Sequence, residues 1–118
     1  EVLNYLKEKY ALHIITNGFD NTQHIKLEYS NLMPYFQQII TSEKTGVKKP
    51  NSLIFSHALN LANASHNESV YIGDNLVVDI LGCQNSGIDG VYFNPEAIKH
   101  TEFPCFEIQC LSELKELF

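Results

Sequence analysis

The sequence predicts a doubly wound α/β fold, and three observations carry that expectation. Short β-prone runs alternate with segments of helical apolar spacing along the whole chain. Runs such as Ser69-Val70-Tyr71-Ile72 are β-prone without an apolar/polar alternation, as in parallel strands covered on both faces. Turn-forming residues follow such runs, in Thr16-Asn17-Gly18 and again in Gly73-Asp74-Asn75. Together they imply a mostly parallel sheet with right-handed crossovers and helices on both faces. Ligands in such sheets gather at the carboxyl ends of the strands, beside the point where strand order reverses.

Taken in order, Val2, Leu3, Leu6 and Tyr10 have the spacing of an opening helix, and residues 11–15 form a short apolar run that reads as a strand. Asn21 or Thr22 is the expected N-cap of a second helix carrying Ile25, Leu27 and Leu32, which Pro34 must end or follow closely. Residues 37–41 read as a strand and 42–50 as a loop. Asn51 or Ser52 then caps a helix whose Ile54, Ala58, Leu61 and Ala62 share one face. After the strand at 69–72 comes a helix with Val77, Ile80 and Leu81 inward, and then a strand at 90–93. A loop over 95–100, an edge strand at 106–108 and an amphipathic helix over 111–118 close the chain.

Composition narrows the functional classes. The chain has 118 residues, 44% hydrophobic and 19% charged, the balance of one globular domain spanning residues 1–118. Its net charge of −6, without clusters of Lys or Arg, argues against a nucleic acid polymer held through its phosphates. No stretch reaches the roughly 18 apolar residues that a membrane span needs. Cys83, Cys105 and Cys110 form an odd set without a C-x-x-C pair, which reads as free thiols in a reducing cytoplasm. The sequons at Asn63 and Asn67 then read as chance matches. The chain opens inside a helix and without Met, so the expectation is the C-terminal part of something longer.

Three polar clusters fall where this architecture places function. Thr16-Asn17-Gly18 is an ordinary turn, or else a phosphate cradle in which the Thr16 hydroxyl and the backbone N–H groups of Asn17 and Gly18 meet an anion. Within Gly46-Val47-Lys48-Lys49-Pro50, the lysines are a solvated pair unless one folds back to neutralise a phosphate and a neighbouring carboxylate. Lys49, beside the proline, is the choice over Lys48, although spacing alone does not decide between them. Asp74 and Asp79 suit a helix N-terminus electrostatically. They also suit Mg²⁺, a hard cation that takes oxygen ligands and keeps several waters. Asp79 is equally placed to orient Lys49. His13, His24, His57, His66 and His100 lack metal-binding spacing, and neither G-x-x-x-x-G-K-[ST], G-x-G-x-x-G nor G-x-S-x-G occurs.

The order Thr, Lys, then Gly-Asp-x-x-x-x-Asp, each beside a strand end, resembles the haloacid dehalogenase (HAD) superfamily of phosphohydrolases. Ile14-Ile15-Thr16-Asn17-Gly18 is similar to that family's second motif and Gly46-Val47-Lys48-Lys49-Pro50, with Ile54-Phe55, to its third. Ile72-Gly73-Asp74-Asn75 through Asp79-Ile80 is similar to its fourth. Receiver domains use the same residue types with the acidic pair first. The wording is most similar to capped small-metabolite phosphatases such as pyrimidine 5′-nucleotidase-like members. The first motif, D-x-D-x-[TV], is absent from the chain.

The resemblance implies a Rossmann-like core lacking its first central strand and its cap. It also implies a Mg²⁺-dependent phosphatase of a small phosphorylated metabolite that works through an aspartyl phosphate in the intact protein. Thr16 and Lys49 would then be catalytic, and Thr16, Asn17, Gly18 and Lys49 phosphate-binding. Asp74 would ligate Mg²⁺, with Asp79 beside it or acting through water. This chain alone would be inactive for want of the nucleophile. The alternative is a non-catalytic α/β module that completes its sheet with a partner chain, by self-association or strand exchange across the missing strand. A blander alternative is a plain Rossmann-like binding domain with coincidental motifs.

Overall fold

The computed structural model describes residues 1–101, 104 and 106–118; Cys105, counted above among the free thiols, lies outside the described residues. Helix α1 (Val2–Lys7) leads into β1 (His13–Thr16), α2 (Asp20–Tyr29) and β2 (Gln38–Thr41). The short α3 (Ser42–Thr45) and the longer α4 (Ser52–Ala62) precede β3 (Val70–Gly73). A π-helical segment (Leu76–Leu81) runs directly into α5 (Gly82–Gln84), and β4 (Asp89–Phe93), β5 (Phe106–Ile108) and α6 (Leu114–Leu117) complete the chain. No helix among the described residues is long and apolar enough to cross a membrane.

Every strand pairing is parallel, as the alternation predicts, but the strands form two sheets. One holds β1 and β2, in register from His13 opposite Gln38 to Thr16 opposite Thr41. The other has the order β3-β4-β5, with β5 at one edge as expected. Thus, among the described residues, β1 and β3 each keep an edge without a ladder partner. The consequence is visible on β3, where Val70 is 44% and Ile72 36% exposed, although parallel strands are ordinarily covered on both faces.

Two apolar clusters pack on the strands, and the first of them joins the two sheets. Ile54 and Phe55 of α4 pack with Ile40, Cys83 and Ile88, and draw in Ile15 of β1 and Tyr71 of β3. In the other cluster Leu6 of α1 and Leu114 of α6 pack on Val91 and Ile108, with Leu12 beside them. The cluster around α4 therefore holds the two sheets side by side.

Several boundaries and faces differ from the sequence reading. The second helix starts at Asp20, behind Phe19 and without a side-chain cap, and ends before Leu32 because Asn31 turns left-handed (φ 60°). Asn51 does cap α4, its side chain accepting from the Leu53 N–H at 2.9 Å. The buried stripe of α4 is shifted, however: Phe55 is fully buried and Leu61 is 46% exposed. Ile54-Phe55 and Ala58-Leu59 form the face at i, i+1, i+4, i+5. Val77, expected inward, is exposed because residues 76–81 are wound as a π-helix, while Ile80 remains fully buried. At the end of the chain, residues 111–113 form a 3₁₀ turn ahead of a single α-helical turn.

The two described thiols lie in opposite environments. Cys83 is buried, and burial followed by the nearby Asp79 charge pushes its pKa up to about 11. Cys110 is exposed, and a hydrogen bond with the Ser112 hydroxyl holds its pKa below the ordinary thiol value. Iodoacetamide at neutral pH should therefore alkylate Cys110 and leave Cys83 unmodified in the native chain. Peptide mapping by mass spectrometry, with a denatured control in which Cys83 also reacts, reads this directly.

Candidate functional site

At the carboxyl ends of β1 and β3, Lys49, Asp74 and Asp79 line one open cavity of about 300 Å³, whereas Thr16, Asn17 and Gly18 are not among its lining residues. Its lining includes Ile15, Lys49, Tyr71, Gly73, Asp74 and Asp79. The central contact is Lys49 Nζ to Asp79 Oδ1 at 2.6 Å, with side chains only 11% and 6% exposed. Lys48, its neighbour, is exposed, and Lys49 is the lysine of the two that meets Asp79.

Asp79 is delivered by the backbone that precedes it. Asn75 accepts from the N–H groups of Val77 and Val78 through its side chain, starting the π-helical turn. The Asn75 carbonyl then accepts from both the Asp79 and Ile80 N–H groups, the latter an i to i+5 bond. This wide turn brings Asp79 back over the end of β3, where its Oδ2 accepts from the Asn75 N–H at 3.2 Å. Gly73 makes the approach feasible, since a Cβ there would lie 2.5 Å from Asp79 Cγ and closer still to its Cβ. The Gly-Asp-x-x-x-x-Asp spacing is thus a packing requirement as well as a chemical one.

Lys49 is held at its backbone by Asn17. The Asn17 side chain accepts from the Lys49 N–H at 2.8 Å and donates to the Lys49 carbonyl at 3.0 Å. The Lys49–Pro50 peptide is cis. Thr16 ends β1 and Gly18 lies in the turn before α2, so both sit at the strand end where the phosphate cradle is expected.

Tyr71, which the sequence reading left as an anonymous strand residue, joins the site. Its hydroxyl lies 2.9 Å from Lys49 Nζ, 3.2 Å from Asp79 Oδ1 and 3.3 Å from the Ile15 carbonyl. Burial and then the Asp79 charge hold the phenol pKa well above its ordinary value, so the group is neutral. Nothing in the β-prone pattern distinguishes this tyrosine from one that only packs.

The two aspartates differ in what they offer a cation. Both Asp79 oxygens are engaged by Lys49, Tyr71 and Asn75, whereas Asp74 is exposed on the cavity lining. An exposed carboxylate is a suitable hard donor for Mg²⁺. Among the described residues, no group of three His, Cys, Asp or Glu side chains could by itself hold a metal ion.

Replacing Gly73 with Ala should displace Asp79 and separate it from Lys49. A stability loss of about 1–3 kcal/mol is expected for such overpacking. Chemical denaturation measures the loss, and a crystal structure or NMR contacts of the variant would show whether the Lys49–Asp79 pair has opened.

Comparison with known proteins finds relatives over nearly the whole chain. The chain is 35% identical over 119 residues to pyrimidine 5′-nucleotidase YjjG of Escherichia coli, covering 98% of this chain and 53% of that protein. It is 31% identical over 117 residues to a glyceraldehyde 3-phosphate phosphatase of Methanothermobacter thermautotrophicus, covering 95% of this chain and 52% of that one. The crystal structure of HAD-hydrolase YfnB from Bacillus subtilis bound to magnesium superposes with a TM-score of 0.94 at 34% identity, covering 98% of this chain and 52% of that one. The chain thus spans about half the length of the curated relatives it matches. Residues 1–93 match the family described as haloacid dehalogenase-like hydrolase, and with its motif order and parallel α/β core the chain belongs to that family.

Proposed function

We propose that this chain supplies the phosphate- and cation-facing part of a Mg²⁺-dependent phosphohydrolase acting on a small phosphorylated metabolite. The observation that carries this reading is the largely buried Lys49–Asp79 pair, which lines the cavity together with Asp74. Lys49 would hold charge on a phosphoryl oxygen, with Asp79 fixing its position. Thr16 and the N–H groups of Asn17 and Gly18 would orient the remaining oxygens. Asp74 would hold the cation, which when bound supplies electrostatic stabilisation to the transferring phosphoryl group.

The nucleophile would come from the strand that completes the sheet. The unladdered edges of β1 and β3 support this, as does the share of the relatives' length that the chain spans. In this reading the chain is a C-terminal core segment, the intact protein forms an aspartyl phosphate, and the 118 residues alone do not turn over substrate. The compartment we propose is the cytoplasm, in keeping with the free thiols.

Hydrolysis of an aryl phosphate by this chain, and by a form extended upstream in its reading frame, tests the proposal. Activity that requires both the extension and Mg²⁺, and that chelator removes, is the expected outcome. In the extended form, Asp74→Asn should abolish Mg²⁺-dependent turnover and Lys49→Met should lower kcat by about 10²–10³-fold. Activity indifferent to these changes would refute the assignment.

A second reading rests on the exposed Val70 and Ile72 of β3: the chain is a non-catalytic module that completes its sheet by self-association or strand exchange with a partner chain. Sedimentation equilibrium separates the two, since a strictly monomeric, cooperatively folding chain contradicts self-association.

A further inference from the structure

We propose that the Tyr71 hydroxyl is a positioning group for Lys49, orienting its ammonium by a second, uncharged contact and tying it across the gap to the strand that ends in Thr16. The inference rests on the reading of Lys49 as the phosphate-facing lysine and extends it to a residue outside the family motifs identified in this sequence.

A lysine ammonium sits on a flexible four-carbon stem and has three equivalent donors, so one ion pair leaves it free to rotate. Asp79 Oδ1 takes one donor at 2.6 Å and the Tyr71 oxygen takes a second at 2.9 Å. With two N–H directions set, the third follows from tetrahedral geometry, and Lys49 lines the open cavity. The choice of a phenol matters here. A second carboxylate would cancel the charge that an anion needs to meet, whereas a neutral hydroxyl accepts the hydrogen bond and leaves the net charge of the Lys49–Asp79 pair unchanged.

The hydroxyl has one proton of its own, with two acceptors in reach: the Ile15 carbonyl at 3.3 Å and Asp79 Oδ1 at 3.2 Å. Donation to Ile15 joins β3 to β1 one residue before Thr16, where the strands share no ladder. Donation to Asp79 instead places a second donor on the same oxygen that holds Lys49. In either state the phenol's position is fixed by its ring, which packs edge-on against the fully buried Phe55 at 5.2 Å between centroids.

Tyr71→Phe keeps the ring and its packing and deletes only the hydroxyl. Lys48 is an exposed neighbour and serves as an internal reference. In the 118-residue chain, a limiting amount of an amine-acylating reagent at fixed pH should modify Lys49 much more slowly than Lys48, as read by peptide mass spectrometry. In Tyr71→Phe the Lys49-to-Lys48 ratio should rise roughly tenfold, the scale set by losing a hydrogen bond to a charged group, with the melting temperature lowered by about 5 °C and the chain still folded at the labelling temperature. An unchanged ratio overturns the proposal, and so does a rise shared equally by Lys48. The wild-type chain gives an independent measurement: NMR should show nuclear Overhauser contacts between the Lys49 side-chain terminus and the Tyr71 ring protons ortho to the hydroxyl, and their absence also overturns it. Repeating the wild-type labelling with added inorganic phosphate addresses the underlying reading separately. Protection of Lys49 supports its phosphate-facing role, and absence of protection counts against that role without altering the Tyr71 ratio.

Discussion

The ion pair between Lys49 and Asp79 is the constraint on which the rest of the site depends. Removing two charges from water is costly, and in the interior their attraction offsets that cost only when the geometry is close and the remaining polar atoms are satisfied. Such a pair is poor evidence of a stability device and better evidence of a requirement for position. The neighbouring sequence is consistent with this. Gly73 leaves room for the aspartate, the π-helical turn redirects it, and the Asn75 N–H satisfies its second oxygen. Asn17 fixes the lysine by its backbone, and Tyr71 occupies the remaining side of the pair.

The division into two sheets follows from a different force. The apolar cluster around Ile54 and Phe55 binds β1-β2 to β3-β4-β5, while among the described residues the facing edges of β1 and β3 carry no ladder. Burial is non-directional and roughly proportional to area, so side chains from α4 can hold the sheets together without backbone pairing. Backbone pairing, by contrast, needs a strand. The cavity therefore sits at the mouth of an interruption in the hydrogen-bonded framework, where the polar side chains of Lys49, Tyr71, Asp74 and Asp79 converge beside Ile15 of β1.

Much of this was legible in the sequence, for identifiable reasons. The period of the apolar residues located each major helix and strand, because burial demands that period. The order of Thr16, Lys49, Asp74 and Asp79 was legible because turn and charge chemistry falls at strand ends. What escaped has a common cause. The π-helical winding of residues 76–81 replaces one hydrogen-bond pattern with another and leaves composition unchanged, so Val77 was assigned to the wrong face. On α4 the shift from Leu61 to Phe55 depends on which side of a broad apolar surface meets the sheet. The Asn17 clamp and the Tyr71 contact join residues 32 and 22 positions from their lysine partner, and no local pattern encodes such pairings.

The Asn17 clamp has an implication for how the site can vary. Asn17, Lys49, Tyr71 and Asp79 share partners, so the effect of changing any one depends on the state of the others, and their energetic effects should not add. Such mutual dependence is epistasis in a literal, atomic form: a substitution tolerated at Lys48 carries no obligation elsewhere, whereas one at Asn17 alters the backbone that presents Lys49. Divergence within this quartet would have to proceed in concerted steps, leaving the surrounding surface as the terrain on which independent drift can occur.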